Sequence, residues 1–255
     1  DAPIVVPSPL PRRVISPWAV GILALLLVGV ALGVLLWTSE APPGERSSPP
    51  ERLREHRAAA EEALRQGDYD RLARACAEAL ALDDRQPGLL SPGERRHLRQ
   101  LGAQAAVLRD LLFESLPEVL RTAPGVPDAV WAAEFERRYR GKAVVFDALM
   151  HRDAAGEYHL DYALFTREGE VRVLWHEVEL FRRLPLEEPR RLIFGARLAS
   201  ASRDATGRWQ VRLQPGGTVL FTDPEMFTGT TLPPADDETR AVLRRQAEWL
   251  AEIGQ

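Results

Sequence analysis

One cysteine, one lysine and no asparagine occur in 255 residues, and each scarcity removes a class of explanation. Cys76 has no second thiol to pair with, so an internal disulfide is excluded and the redox compartment stays open. Without asparagine there is no N-glycosylation acceptor. Lys142 is the only lysine among 33 basic residues, a bias of GC-rich coding sequence, so abundant arginine is not read as a binding surface. Net charge is only −4 with both signs interspersed, which gives no field to draw nucleic acid or anionic lipid. Catalytic signatures are missing too: there is no G-x-S-x-G and no P-loop glycine-lysine motif.

What the chain has instead is one long uncharged run. Trp18 to Trp37 reads WAVGILALLLVGVALGVLLW, and at about 1.5 Å per residue it matches a hydrocarbon core about 30 Å thick. Tryptophan at both ends suits the headgroup level. A cleaved signal peptide has a shorter apolar region of about 7–15 residues and a small-residue cleavage site. The run therefore predicts a transmembrane helix whose partner is the lipid bilayer, with Gly29 and Gly33 spaced as in helix pairs that form homodimers. Arg12 and Arg13 before the run favour an inside N-terminus, whereas Arg46, Arg52, Arg54 and Arg57 after it oppose that. The expected topology places residues beyond the run outside the cytoplasm.

Composition divides the rest. Residues 1–17 form a proline-punctuated tail, and 38–52, TSEAPPGERSSPPER, read as a Pro/Ser/Glu tether that cannot bury enough apolar surface to fold. Helical periodicity covers 53–138. Ser91-Pro92-Gly93-Glu94 spells a capping box with proline at the first helical position, and Leu98, Leu101, Ala105, Leu108, Leu111 and Leu112 continue its apolar stripe up to a stop before Pro117 or a bend there. A further helix from Asp128 to Tyr139 should turn Val130, Trp131, Phe135 and Tyr139 inward. From Gly141 the period changes to 2, and 139–228 predict an antiparallel barrel or curled sheet of five or six strands with turns at Ala155-Gly156, Glu168-Gly169 and Thr206-Gly207. A C-terminal helix over 236–253 should bury Val242, Leu243, Ala247, Trp249, Leu250 and Ile253. The expected fold class is α+β: a transmembrane helix, helical hairpins, a small OB-like barrel and a C-terminal helix.

Two resemblances follow from particular residues. RAAAEEALRQGDYDRLARACAEALALDD, with Gly67-Asp68-Tyr69 at its turn, Ala60 opposite, and Cys76, Ala79 and Leu80 on its inner face, resembles one tetratricopeptide-type helical hairpin, with Leu72 where that family has alanine and no second copy at the 34-residue period of such arrays. FERRYRGKAVVFDALM, with Tyr139, Gly141 and Lys142 in order at the strand entry, resembles OB-fold families similar to tRNA-anticodon-binding domains, although Asp147 replaces the glycine that lets the first strand curl. That resemblance implies a ligand face on the second and third strands, where Tyr158, Tyr162, Phe165, Arg172 and Trp175 stand. Nucleic acid binding there needs a basic groove with free aromatic faces; rings on alternating strands are ordinarily core, and nucleic acid is not the expected partner.

His151, Asp153, His159, His176 and Glu177 are the only concentration of metal-ligand types, but no pair has a ligand spacing and zinc needs three or four convergent groups. No metal, cofactor or catalytic residue is assigned. Glu61-Glu62, Asp83-Asp84 and Glu187-Glu188 read as solvated acidic pairs. The functional expectation is a non-catalytic accessory or scaffold subunit of a membrane assembly, making protein contacts with other membrane-protein subunits. The alternative is an extracytoplasmic ligand-binding or sensor module of a longer signalling protein with residues before Asp1.

Overall fold

Proline at a helix start forfeits only an N–H that would have had no intrahelical acceptor. The computed structural model describes residues 48–123, 125–175, 178–227 and 234–253, and its first helix, α1, begins at such a site and runs Pro49–Gln66. The tether expected through residue 52 thus ends earlier, its last prolines serving as a helix start. Gly67, at φ 66°, reverses the chain in a conformation that suits glycine. Asp68 then accepts the Arg71 N–H at 3.0 Å, starting α2, Tyr69–Arg85. The capping box forms as its spacing predicts, and α3 runs Pro92–Arg109. Asp83, fully buried, accepts the Leu90 N–H at 2.9 Å and pairs with Arg95, fixing the turn between α2 and α3.

Past Arg109 the sequence expectation fails in an instructive way. Leu111 and Leu112 leave the helix, Leu111 bridging to Ala143 at the start of the sheet. Pro117 ends nothing; it lies in the first turn of α4, Leu116–Arg121, where Glu118 reaches back to the Ser115 N–H at 2.7 Å. In α5, Asp128–Arg138, Trp131 and Phe135 are buried, and Tyr139 follows them inward. Val130 is exposed, contrary to expectation, because one residue is a 100° rotation from Trp131 and the stripe is narrow. The Trp131 indole N–H donates to Ala201 O at 2.7 Å, tying α5 to the sheet.

Six strands form one sheet: β1 Ala143–Arg152, β2 Tyr158–Leu160, β3 Leu164–Thr166, β4 Gly169–Val173, β5 Arg190–Arg203 and β6 Trp209–Leu220. Their order is β2-β1-β5-β6-β4-β3. β2 and β3 are therefore the two edges, yet only Asp161, Tyr162 and Ala163 join them. A chain reaches at most about 3.6 Å per residue, so the edges must come close, and the sheet is a curled, open half-barrel. The expectation of antiparallel pairing throughout is corrected: β4 and β6 are parallel. After β4 the apolar run Val171–Trp175 does not continue as a strand; a 3₁₀ turn, Glu179–Arg183, inserts Phe181 into the core before β5.

The interior holds stacked Phe146 and Phe194, 5.0 Å apart. The outer face is covered by α3 and by α6, Asp237–Ile253. Gly195 permits this close cover, for a Cβ there would overlap Val107 of α3. In α6 the buried position is Gln246, while Ala247, expected inside, is exposed. Val242 and Leu243 are buried as expected, and Gln246 continues their stripe so that its amide reaches the ladder: Gln246 Oε1 accepts the Ile193 N–H at 2.8 Å and its Nε2 donates to Ile193 O and Phe221 O. From α3, Gln100 donates to Leu220 O at 2.7 Å, and Gln104 accepts the Thr222 N–H at 3.0 Å. Three glutamines thus hold three successive residues where β6 leaves the sheet.

No helix among the described residues is long and apolar enough to cross a membrane. Helices α1 and α3 have the length, 18 residues each, but arginine and glutamate interrupt their apolar stripes. Among the described residues the expected fold class is therefore corrected to α+β, helices on a half-barrel with no spanning helix. Trp18, Gly29, Gly33 and Trp37 lie outside the described residues.

Candidate functional site

The β1–β2 hairpin pairs Met150 with Leu160, His151 with His159 and Arg152 with Tyr158. Its last rung is the Asp161 N–H donating to Leu149 O at 3.0 Å. Beyond it the chain swings off β1, and β3 pairs with β4 instead, Phe165 opposite Glu170. The place where the hairpin stops zipping is a seam down the open side of the half-barrel, and two depressions flank the Asp161–Ala163 crossing.

The first is a cleft of about 630 Å³. It brings together four of the five residues named on the second and third strands, Tyr158, Tyr162, Arg172 and Trp175, and leaves out Phe165. They are not equivalent. Tyr158 packs against Phe181 at 5.8 Å and Trp175 against Phe146 at 5.2 Å, both buried, so their rings belong to the core. Arg172 is exposed and reaches Glu157 at 3.5 Å across the opening. Tyr162 is 41% exposed; partial burial, with the Asp161 and Asp147 carboxylates nearby, pushes its phenol up to about 12. The cleft's other charges are Asp161, Glu170, Asp204 and Arg208. Carboxylates outnumber guanidinium groups, the reverse of a phosphate-binding groove.

The second depression, about 480 Å³, lies between β1 and the segment before α4, walled by Leu112, Phe113, Val145, Asp147, Tyr162 and Leu164. Phe113 is 95% exposed at its rim, and Phe165 on β3 and Leu149 on β1 are 60% and 42% exposed. Asp147 is held by Arg191 at 2.7 and 2.8 Å, and Arg191 also meets Glu238 of α6 at 2.7 Å. That clamp fixes the outer face of β1. Sequence reasoning overlooked Phe113; the available signal was an apolar residue out of helical phase, two residues before the Ser115 cap.

Among the described residues the histidines do not converge on a metal geometry. His151 and His159 stack at 5.2 Å, and His159 Nε2 contacts Asp153 Oδ2 at 2.9 Å, a hydrogen bond that is the main cause lowering the Asp153 carboxyl below its usual range. No group of three or more potential ligands occurs among the described residues; His176 and Glu177 lie outside them. Cys76 is buried, and burial pushes its thiol up to about 11, away from the reactive thiolate. Neither a known protein family, nor a curated protein, nor a solved structure matches this chain.

Proposed function

We propose that the chain is a non-catalytic accessory or scaffold protein that engages a protein partner along the seam of its half-barrel. The observation that carries this reading is the near-complete exposure of Phe113 beside an apolar groove, for an aromatic anchor at a pocket is the usual centre of a protein interface. The acid-rich cleft alongside disfavours a nucleic acid, and the buried carboxylate among the described residues, Asp83, is engaged in a structural pair with Arg95. The strand pairing supports reading the β layer as a five-stranded, partly open Greek-key barrel of the OB type, β2 and β3 acting as one bent strand.

The test is gentle purification of the tagged full chain from its native cells, followed by mass spectrometry of what co-elutes. Stoichiometric companions that disappear with Phe113→Ser support the reading; a wild-type chain recovered alone overturns it. A small-ligand or sensor role is the second reading, favoured by a cleft volume of about 630 Å³ that lies inside the ordinary range for such sites. It ranks second because the rings that would embrace a ligand, Tyr158 and Trp175, are already packed into the core.

A further inference from the structure

The two lips of the seam are matched halves of an unformed ladder. Leu198 N–H donates to Lys142 O, so even-numbered residues of β1 direct their backbone groups toward β5 and odd-numbered ones away from it. Three contacts on the far side agree: Ala143 N–H to Asp110 O, Leu112 N–H to Ala143 O, and Asp161 N–H to Leu149 O. Val145 and Asp147 lie between these, and among the described residues nothing receives their outward N–H and C=O groups. On the other lip, Thr166 and Gly169 pair across the two-residue β3–β4 turn, so Phe165 presents its backbone away from β4. Stepping the β1–β2 register onward from Met150 and Leu160 sets Asp147 level with Ala163 and Val145 level with Phe165. The faces agree as well, Phe146 and Leu164 both inward, Val145 and Phe165 both outward.

Resting on the interaction reading above, we infer that this seam admits an extended, basic segment of a partner protein as an added strand between β1 and β3. Paired strands and packed sheets are spaced so that one residue takes about 160 Å³, and the groove of about 480 Å³ accommodates about three residues. Charge fixes the chemistry of the guest. Asp161 stands where the seam is pinned and Glu170 directly opposite Phe165, and neither carboxylate makes an ion pair among the described residues. An alternating segment would lay its apolar side chain between Phe113 and Tyr162 and its basic side chains toward those two carboxylates, with main-chain bonds supplying affinity as in other strand additions.

The experiment is residue-resolved amide hydrogen exchange on the full chain, alone and with an acetylated, amidated nonapeptide of alternating lysine and valine around a central phenylalanine. The Val145, Asp147 and Phe165 amides should exchange freely in the chain alone, slow at least tenfold with the peptide, and stay free when the peptide is N-methylated at alternate residues. Asp161→Asn and Glu170→Gln should each weaken the lysine peptide by up to about fivefold, and a glutamate-for-lysine peptide should fail to protect. Protection in the free chain at every concentration would mean that β3 closes on β1 itself; protection that grows with concentration would mean a second copy; either overturns the inference. If the peptide leaves the seam unprotected while Phe113→Ser still strips companions from the chain, the interaction reading stands and strand insertion falls.

Discussion

Replacing Gln246 with leucine should destabilise the fold more than any surface change, by an amount the geometry specifies. The side chain is fully buried, and its amide substitutes for the missing half of one ladder pair: Phe221 N–H reaches Ile193 O at 3.0 Å, but the return bond from Ile193 N–H is made to Gln246 instead. Leucine of similar volume leaves the Ile193 N–H and the Phe221 carbonyl buried without partners, at about 1–3 kcal/mol each. Added apolar burial offsets about 1–2 kcal/mol, so the net loss is about 1–4 kcal/mol. With a urea m-value of about 2 kcal/mol/M, the midpoint followed by tryptophan fluorescence should fall by about 0.5–2 M. Gln246→Glu sharpens the test. A carboxylate there would face two carbonyl oxygens, so its folded-state pKa must rise above the unfolded value of about 4.3. Stability of that variant is retained below about pH 4 and lost as pH rises through the raised value. A leucine variant with an unchanged midpoint, or a glutamate variant no less stable at pH 7 than at pH 4, would refute the inserted-amide account.

Gly195→Ala forces a methyl group into Val107 and should cost about 1–3 kcal/mol; Val107→Ala in the same chain should restore part of it, a coupling that a double-mutant cycle in urea measures. Asp83 predicts an acid limb. The Leu90 N–H first, then Arg95, lower its folded carboxyl from 3.8, so its contribution is complete above about pH 5 and lost as pH falls through the lowered value; Asp83→Asn should flatten that limb in pH-dependent unfolding. Cys76, with its thiol near 11, should resist a thiol reagent at pH 8 in the native chain and react at once in denaturant. Equal rates in both states would contradict its burial.

Local chemistry was legible where one residue type answers one backbone need. Ser91 with Glu94, Gly67 with Asp68, and the burial of Trp131, Phe135 and Tyr139 all follow from spacing alone. Long-range consequences were not. That α6 would bury Gln246 rather than Ala247 depends on carbonyls at Ile193 and Phe221, which no periodicity of α6 contains. The parallel β4–β6 pair and the split of one expected strand into β2 and β3 are likewise set by the return of β5, since pattern gives a strand its face but not its neighbours. Of the candidate site, Tyr158, Tyr162, Arg172 and Trp175 line one cleft. Two of those rings proved to be core, and Phe113 at the neighbouring rim was marked only by falling out of helical phase before the Ser115 cap.

The hold of three glutamines on Leu220, Phe221 and Thr222 also dictates an order of assembly. Helices α1 to α3 are built from near neighbours and are the first part of the described chain to leave the ribosome, yet Gln100 and Gln104 on α3 lack their sheet partners until residues about 120 positions later arrive. A nascent helical hairpin therefore displays a wet, unfinished face while the strands are still being made. Either layer made alone would leave these polar groups to water and expose the apolar surface around them, so the two layers complete each other through one shared polar seam.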